Sequence, residues 1–376
     1  MTFSHCLSTS AMEPRMATRT PPASAASPSR TNRTATQPRH PESRQITIKD
    51  VARLAGVSLM TVSRALNRPE LVSAKTRELV RQAVERTGYI PNRLAGGLSG
   101  LHTGQVAVLV PSLSNLVFSD LLNGLSSVLV PHGMQMMVGN YHYLQQKLEE
   151  QIPLFLGWAP DALVLVGPVP RSAAPLLRAR ALPVVETVEL INTPFDCNVG
   201  ISHQDAGAAM AEYLTQLGYR SAAAVSANAG LERRTSQRIE GFCRYLSVNN
   251  FPQPVRLDLE NRSSISEGGK AMRRILDLPE RPEVVFCAND DLAFGAMMAC
   301  LDAGLRVPED IGVAGFNALD LALQCRPSIT TVNVDRHRMG VLAARLLLSR
   351  LSGENGAERL DVGFTVIPGQ STRRQA

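Results

Sequence analysis

The chain lacks most of what would make it catalytic, secreted or membrane-bound. Its six cysteines (Cys6, Cys197, Cys243, Cys287, Cys300 and Cys325) form no C-x-x-C pair, and no histidine cluster falls at ligand spacing. No metal site is therefore expected, and the cysteines, mostly in apolar runs, are expected to be buried free thiols in a reducing cytoplasm. No uninterrupted apolar run reaches membrane-spanning length, and the N-terminus lacks the compact hydrophobic segment of a signal peptide. Neither a G-x-G-x-x-G after a strand nor a G-x-x-x-x-G-K-[ST] occurs, which disfavours a nucleotide-using enzyme. No His/Ser/Asp grouping stands out as a nucleophile system. The expectation is a non-enzyme with no catalytic residues, cofactor or metal.

What is present is uneven in charge. Residues 1–104 carry 15 Lys/Arg against 6 Asp/Glu, a net of +9, whereas residues 105–376 carry 24 against 27, a net of −3. A basic head on a mildly acidic body is the charge footprint of a phosphate-binding module. Residues 1–44, rich in Pro, Ser, Thr, Ala and Arg, are expected to be disordered. A transit-peptide reading of that Arg and Ser enrichment is outweighed by the helical pattern of residues 46–98.

From Ile46 to Leu98 the sequence spells a short helix, a glycine turn and two further helices. Thr47 is placed to cap the first helix with Asp50 three residues on. Gly56 permits a tight turn and Ser58 caps the next helix. Val51, Ala52, Ala55, Val57, Val62 and Leu66 fall at helical spacing and can share one small core. Leu59, Met60, Ser63 and Arg64 are left facing away from it, where a helix-turn-helix presents side chains to base edges. A plain three-helix bundle with a surface arginine is the structural alternative, and the charge asymmetry speaks against it.

The DVA-x-x-AGVS-x-x-TVSR-x-LN core, followed by VS-x-x-TR and GYIPN, resembles the headpiece of the lactose-repressor (LacI/GalR) family of bacterial transcription regulators. The resemblance continues through CANDDLAFGAM, VPEDIGVAGF and PSITTV, so it spans residues 46–370. Within that family VPSLSNLVF, CANDDLA and DVGFTVIPG most resemble the gluconate-utilisation repressors. The resemblance implies a DNA-binding headpiece over 45–91, a hinge over 92–103 and an effector-binding and dimerisation domain over 104–376. It further implies DNA contacts from Thr47, Leu59, Met60, Thr61, Ser63, Arg64 and Asn67, and from Asn92, Arg93, Ala95 and Leu98 in the hinge. Leu98 matches a leucine that wedges between base pairs at the operator centre. This chain departs from the pattern at Gly96-Gly97, each costing roughly 1 kcal/mol against alanine in a helix. A flexible spacer is the alternative there. A homodimer on a near-palindromic double-stranded operator is expected. No heptad tail closes the sequence, so a coiled-coil tetramer is not.

From Gln105 onward short aliphatic runs (QVAVLV, MQMMVG, ALVLV, VVETV, SAAAVS, EVVFC and IGVAG) alternate with helical stretches such as Asp205–Leu217 and Asp290–Leu301. This rhythm predicts an α/β fold of parallel βαβ units, with too many strands for one sheet and hence two lobes. The resemblance agrees, implying a periplasmic-binding-protein-like pair of lobes with crossovers near Ser202, Thr330 and Gly353. Ligands of such folds contact the loops after the strands. Ser112, Asn115, Phe118 and Glu186 follow strands, while Arg238, Asn289 and Asn317 match or neighbour family effector positions. Each has a structural alternative, since Asn and Ser cap helices and Phe118 can be core. Asn317 stands where many sugar-binding relatives carry aspartate, which makes the pocket less negative beside Arg238. The expected effector is therefore a sugar acid such as gluconate, with a neutral sugar or a purine-type co-repressor as alternatives.

Overall fold

The computed structural model describes residues 46–90, 102–354 and 359–373. The chain divides into two compact units, Met1–Pro91 and Asn92–Ala376. Asn92, Arg93, Ala95 and Leu98, with Cys6 and residues 1–44, lie outside the described residues.

The first unit holds α1 (Ile48–Ala55), α2 (Leu59–Asn67) and α3 (Ala74–Thr87). Asp50 Oδ2 accepts from the Thr47 backbone N–H at 3.0 Å and from its hydroxyl at 2.9 Å, so the α1 start is tied in two ways. Gly56 ends α1 at φ 67°, a left-handed conformation that costs a residue with a Cβ, and donates to the Ala52 carbonyl. Ser58 Oγ accepts from the Thr61 N–H at 3.1 Å and opens α2. Val51, Ala52 and Val62 are buried, with Ala55, Val57 and Leu66 packed at the margin of the same cluster. Helix α3 completes it with Val80 and Ala83, which no pattern in the first two helices revealed.

The second unit contains β1 (Gln105–Val110), α4 (Leu116–Leu129), β2 (Gln135–Asn140), α5 (Gln145–Leu156), β3 (Ala162–Val166), α6 (Ala174–Ala179), β4 (Val184–Glu189) and β5 (Cys197–Ile201). Next come α7 (His203–Gln216), β6 (Ala222–Ser226), α8 (Arg233–Val248), β7 (Val255–Asp258), α9 (Ile265–Leu276), β8 (Val284–Cys287), α10 (Asp290–Asp302) and β9 (Gly312–Ala314). The order closes with α11 (Asp320–Gln324), β10 (Thr331–Asn333), α12 (Arg336–Leu351), β11 (Arg359–Asp361) and β12 (Thr365–Ile367). One sheet runs β11-β5-β4-β3-β1-β2 and a second runs β7-β6-β8-β9; their pairings are parallel. Strands β10 and β12 form an antiparallel pair. The seven aliphatic runs all fall on strands; β1, β3 and β8 are covered on both faces and so are apolar nearly throughout, whereas β2 is a partly exposed edge strand. The strands that pattern missed are half-polar (β5, CNVGI), exposed at an edge (β7, VRLD) or three residues long (β10, β11 and β12).

The chain leaves the first sheet after β5 and enters the second lobe through α7. It comes back after β10, where α12 packs on α4 so closely that a Cβ on Gly124 would meet the His337 carbonyl at 2.1 Å. Strand β11 then pairs with β5, and the chain returns to the second lobe, where Ser371 Oγ donates to the Val313 carbonyl at 2.5 Å. The passage expected near Gly353 therefore falls after Asp361. Gly353 only closes the turn behind α12, because β11 must first satisfy the open edge of β5.

Candidate functional sites

In the first unit, α2 presents its polar and apolar faces cleanly. Leu59 and Met60 are 43% and 61% exposed, costly for such side chains unless something covers them. Arg64 is exposed one turn beyond Met60 and makes no ion pair among the described residues. Ser63 is half-buried and accepts from Asn67 Nδ2 at 3.4 Å, so the two share a face. Thr47 and Thr61 are engaged in caps through their hydroxyls, Thr61 with Ser58 Oγ at 2.9 Å. Leu59, Met60, Arg64 and Asn67 are thus the exposed members of the set on α2, and Arg64 has no ion pair among the described residues. Such a surface suits the major groove, whose base edges accept from guanidinium and whose thymine methyls meet apolar groups.

In the second unit a narrow cleft of about 40 Å³ is lined from both lobes by Asn115, Phe118, Tyr143, Arg234, Arg238 and Asn317, among others. Asn115 caps α4: its Oδ1 accepts from Val117 N–H at 3.0 Å and its Nδ2 donates to the Tyr143 hydroxyl at 3.2 Å. Asn289 caps α10 in the same way, its Oδ1 taken by Leu292 N–H at 3.0 Å. Each amide oxygen accepts one backbone N–H, and no hydrogen bond from the Asn289 Nδ2 is seen among the described residues. Arg238 comes forward on α8 because α7 and α8 cross almost backbone to backbone. A Cβ on Gly207 would lie 1.9 Å from the Arg238 carbonyl, and one on Gly241 1.8 Å from that of Gln204.

Arg238 is buried and held at three points. Its Nε donates to His203 Nδ1 at 3.2 Å, its Nη1 donates to the Ala288 carbonyl at 2.6 Å, and its Cζ stands 3.7 Å above the Phe316 ring. What remains is the end of the fork, one Nη1–H and the Nη2–H pair, the geometry a carboxylate accepts. Burial, and then the neighbouring Arg234 charge, push the Arg238 guanidinium down to about 9, which leaves it charged at neutral pH. Burial and the same two arginines hold His203 well below its usual value, so the ring is neutral with its proton on Nε2, opposite the nitrogen that accepts from Arg238. Glu232, the carboxylate on the cleft wall, accepts from the Ser263 backbone at 2.9 Å and its hydroxyl at 2.6 Å. Two arginines against one committed glutamate leave the cleft positive and rich in donors.

Asn317 lines the cleft at φ 120°, its carbonyl accepting from Arg336 Nη1. Arg336 also donates to Asp120 Oδ2 from Nη2 at 3.0 Å, so the strained wall is tied to α4 of the other lobe. Tyr143 (φ 61°) and Val188 (φ 80°) are further cleft-lining residues with left-handed backbone, a conformation that persists where the surroundings force it and that clusters at ligand clamps. The wall behind Asn317 hangs on Asp290, whose carboxylate accepts from Thr331 Oγ1 at 2.7 Å and Leu319 N–H at 2.8 Å.

Five of the seven sequence-predicted effector residues, Asn115, Phe118, Arg238, Asn289 and Asn317, converge on this cleft. Ser112 does not line it; its Oγ accepts from the Ser114 and Asn115 N–H groups at 3.2 Å and shapes the turn before α4. Glu186 does not either. It is buried in mid-strand, where its two oxygens accept from Val169 N–H at 2.6 Å and Phe195 N–H at 2.7 Å, tying two loops to the sheet. A carboxylate after a run of valines reads as a strand-end group, but β4 continues to Glu189. Sequence reading missed Val117, Tyr143, Val188, Glu232, Arg234 and Thr235. Arg234 alone had a signal, lying four residues before Arg238 and hence on the same helical face.

Residues 47–92 match the model described as bacterial regulatory proteins of the lacI family, and residues 211–372 match a periplasmic binding protein-like domain. The chain is 35% identical over 327 residues to the HTH-type transcriptional regulator GntR of Escherichia coli, covering 86% of this chain and 98% of that protein. It superposes on a LacI-family transcriptional regulator from Silicibacter pomeroyi with a TM-score of 0.81 at 33% identity, covering 88% of this chain and all of the other. On the Lac repressor dimer bound to operator and the anti-inducer ONPF the TM-score is 0.77 at 26% identity, over 88% of this chain and 100% of that one.

Proposed function

This chain belongs to the lacI family of bacterial regulatory proteins, and from that premise we propose that its effector is a sugar acid of the gluconate type. The protein is a ligand-responsive DNA-binding transcription regulator, a repressor in the manner of its relatives. Its relatives are regulators, and we read it as a non-enzyme that works in the cytoplasm at the nucleoid as a homodimer. Among the described residues no helix is long and apolar enough to cross a membrane.

The observation that carries the effector reading is the fixed Arg238 fork, open at its end in a cleft whose one wall carboxylate is already committed to Ser263. A carboxylate can take two parallel N–H groups there, and ligand hydroxyls can accept from Asn289 and donate to Asn317. A neutral sugar would leave two guanidiniums facing each other in a confined space, which is costly at low dielectric. For the headpiece the reading assigns Arg64 to a guanine edge and Leu59 and Met60 to thymine methyls. Thr47, Thr61, Ser63 and Asn67 then serve the backbone or flank the readers, and Asn92, Arg93, Ala95 and Leu98 the hinge.

A gel shift with a palindromic site tests both halves. The labelled duplex is expected to shift in the presence of random competitor, and gluconate is expected to release it. Release by a neutral hexose with none by sugar acids would discard the effector reading. Tightening by a purine would replace release with co-repression.

A further inference from the structure

We infer that Arg234 makes the cleft select acids, its guanidinium and that of Arg238 together seating the carboxylate of an open-chain polyhydroxy acid. This rests on the sugar-acid reading above and assigns the charge discrimination within it to a residue that sequence patterns did not single out.

Arg234 and Arg238 stand four residues apart on α8, so both project from one face of the helix, and both line the cleft. Their neighbours are already committed. Arg233 pairs with Glu189 across the lobes, and Glu232 is taken by Ser263. Arg234 makes no ion pair among the described residues, its one side-chain hydrogen-bond partner there being the neutral hydroxyl of the buried Tyr141. It is half-buried, so its charge is only partly hydrated, and it acts on Arg238, His203 and Tyr143 alike. Two like charges confined this way repel, and a shared anion removes the repulsion while gaining charge-assisted hydrogen bonds from both.

Reach separates the two arginines. Arg238 is pinned within its own lobe by Ala288 and Phe316. Arg234 extends from α8 to the opposite lobe: its Cζ lies 5.9 Å from the Phe118 ring centroid, and a methyl placed on Gly167 would stand 3.8 Å from its Nη1. An anion between the two guanidiniums would therefore lie at the boundary between the two lobes. The carboxylate end of the effector would meet this pair, and its hydroxyls would run toward Tyr143, Asn289 and Asn317. A neutral polyol of the same length could satisfy the amides and still leave the arginines unpaired.

Calorimetric titration of the full-length protein with D-gluconate and with sorbitol, a neutral polyol of equal chain length, tests this in the wild type, Arg234→Gln and Arg234→Lys. Arg234→Gln is expected to lose about 10- to 100-fold in gluconate affinity while sorbitol binding is unmoved, so discrimination collapses. Arg234→Lys is expected to recover part of it, and raised salt is expected to weaken gluconate binding less in the glutamine variant than in the wild type. Wild-type gluconate affinity in Arg234→Gln, or an equal loss for both ligands, would overturn the assignment while leaving the sugar-acid reading in place. A wild type that binds a neutral hexose or a purine and no acid would overturn both. Should the glutamine variant fail to fold, the lysine variant decides by its gluconate-to-sorbitol ratio, which a merely structural role would not change.

Discussion

The two units carry their functional groups in opposite ways. In the headpiece, Leu59, Met60 and Arg64 are exposed on a helix whose start is fixed by residues next door in sequence, Ser58 and Gly56. In the sensor, Arg238, Asn289 and Asn317 are buried; Arg238 is held by partners 35 and 50 residues away and Asn317 sits in strained backbone, while Asn289 is fixed locally as a helix cap. A reader of a long, rigid polymer must project from its own surface. A sensor for a small polar molecule must surround it, and so must bury charge and fix it in place.

The largest break in this comparison is expected from Arg238→Met. It removes the buried fork and should lower gluconate affinity roughly 100-fold or more, about 3 kcal/mol, in calorimetry. Operator affinity without effector should stay at the wild-type level in a gel shift. Parallel loss of both would mean that Arg238 supports the fold and not the ligand. In the headpiece, Arg64→Ala should cost roughly 1–3 kcal/mol at one base pair, seen as relaxed preference across operator variants. Equal loss on operator and random DNA would make Arg64 a phosphate contact. Effector affinity should be the same in either case.

Glu186→Gln should separate architecture from binding. An amide offers one oxygen where two backbone N–H groups are now satisfied, so denaturant unfolding should show a loss of about 1–3 kcal/mol. Gluconate affinity should hold; reduced affinity at unchanged stability would bring Glu186 back into the site. The smallest effect is expected from pH. Burial keeps His203 neutral in the folded state, so the unfolded chain binds the extra proton as pH drops below about 6.5, and stability is lost on the acid side. His203→Gln removes this slope, and the wild-type advantage over it should shrink by roughly 1 kcal/mol between pH 7 and pH 5.5. Asp290 works in the other direction. Burial pushes its carboxyl up to about 6, so its contribution falls as pH rises from about 4 to 6 in both proteins and cancels from the difference.

Legibility from sequence divides the same way. Thr47, Asp50, Gly56 and Ser58 act over one to four residues, so their roles are written in local spacing. Strands β1, β3 and β8 were legible because burial on both faces demands unbroken apolar runs. Strand β11 was not, since three residues with two exposed ends carry no pattern, and the third lobe crossing moved with it. Glu186 and Ser112 look like strand-end polar groups in sequence, yet their hydrogen bonds point to neighbouring loops.

Sequence alone determined the helix caps, the strand runs, the basic head and the identity of the arginines, because each depends on chemistry within a few residues. Tertiary structure decided which polar groups were already satisfied. That is why Glu232 is spent on Ser263 and Arg238 offers only the end of its fork. A hydrogen-bonding group is free for a ligand only when folding has left it without a partner, and partners drawn from distant segments cannot be counted until those segments meet.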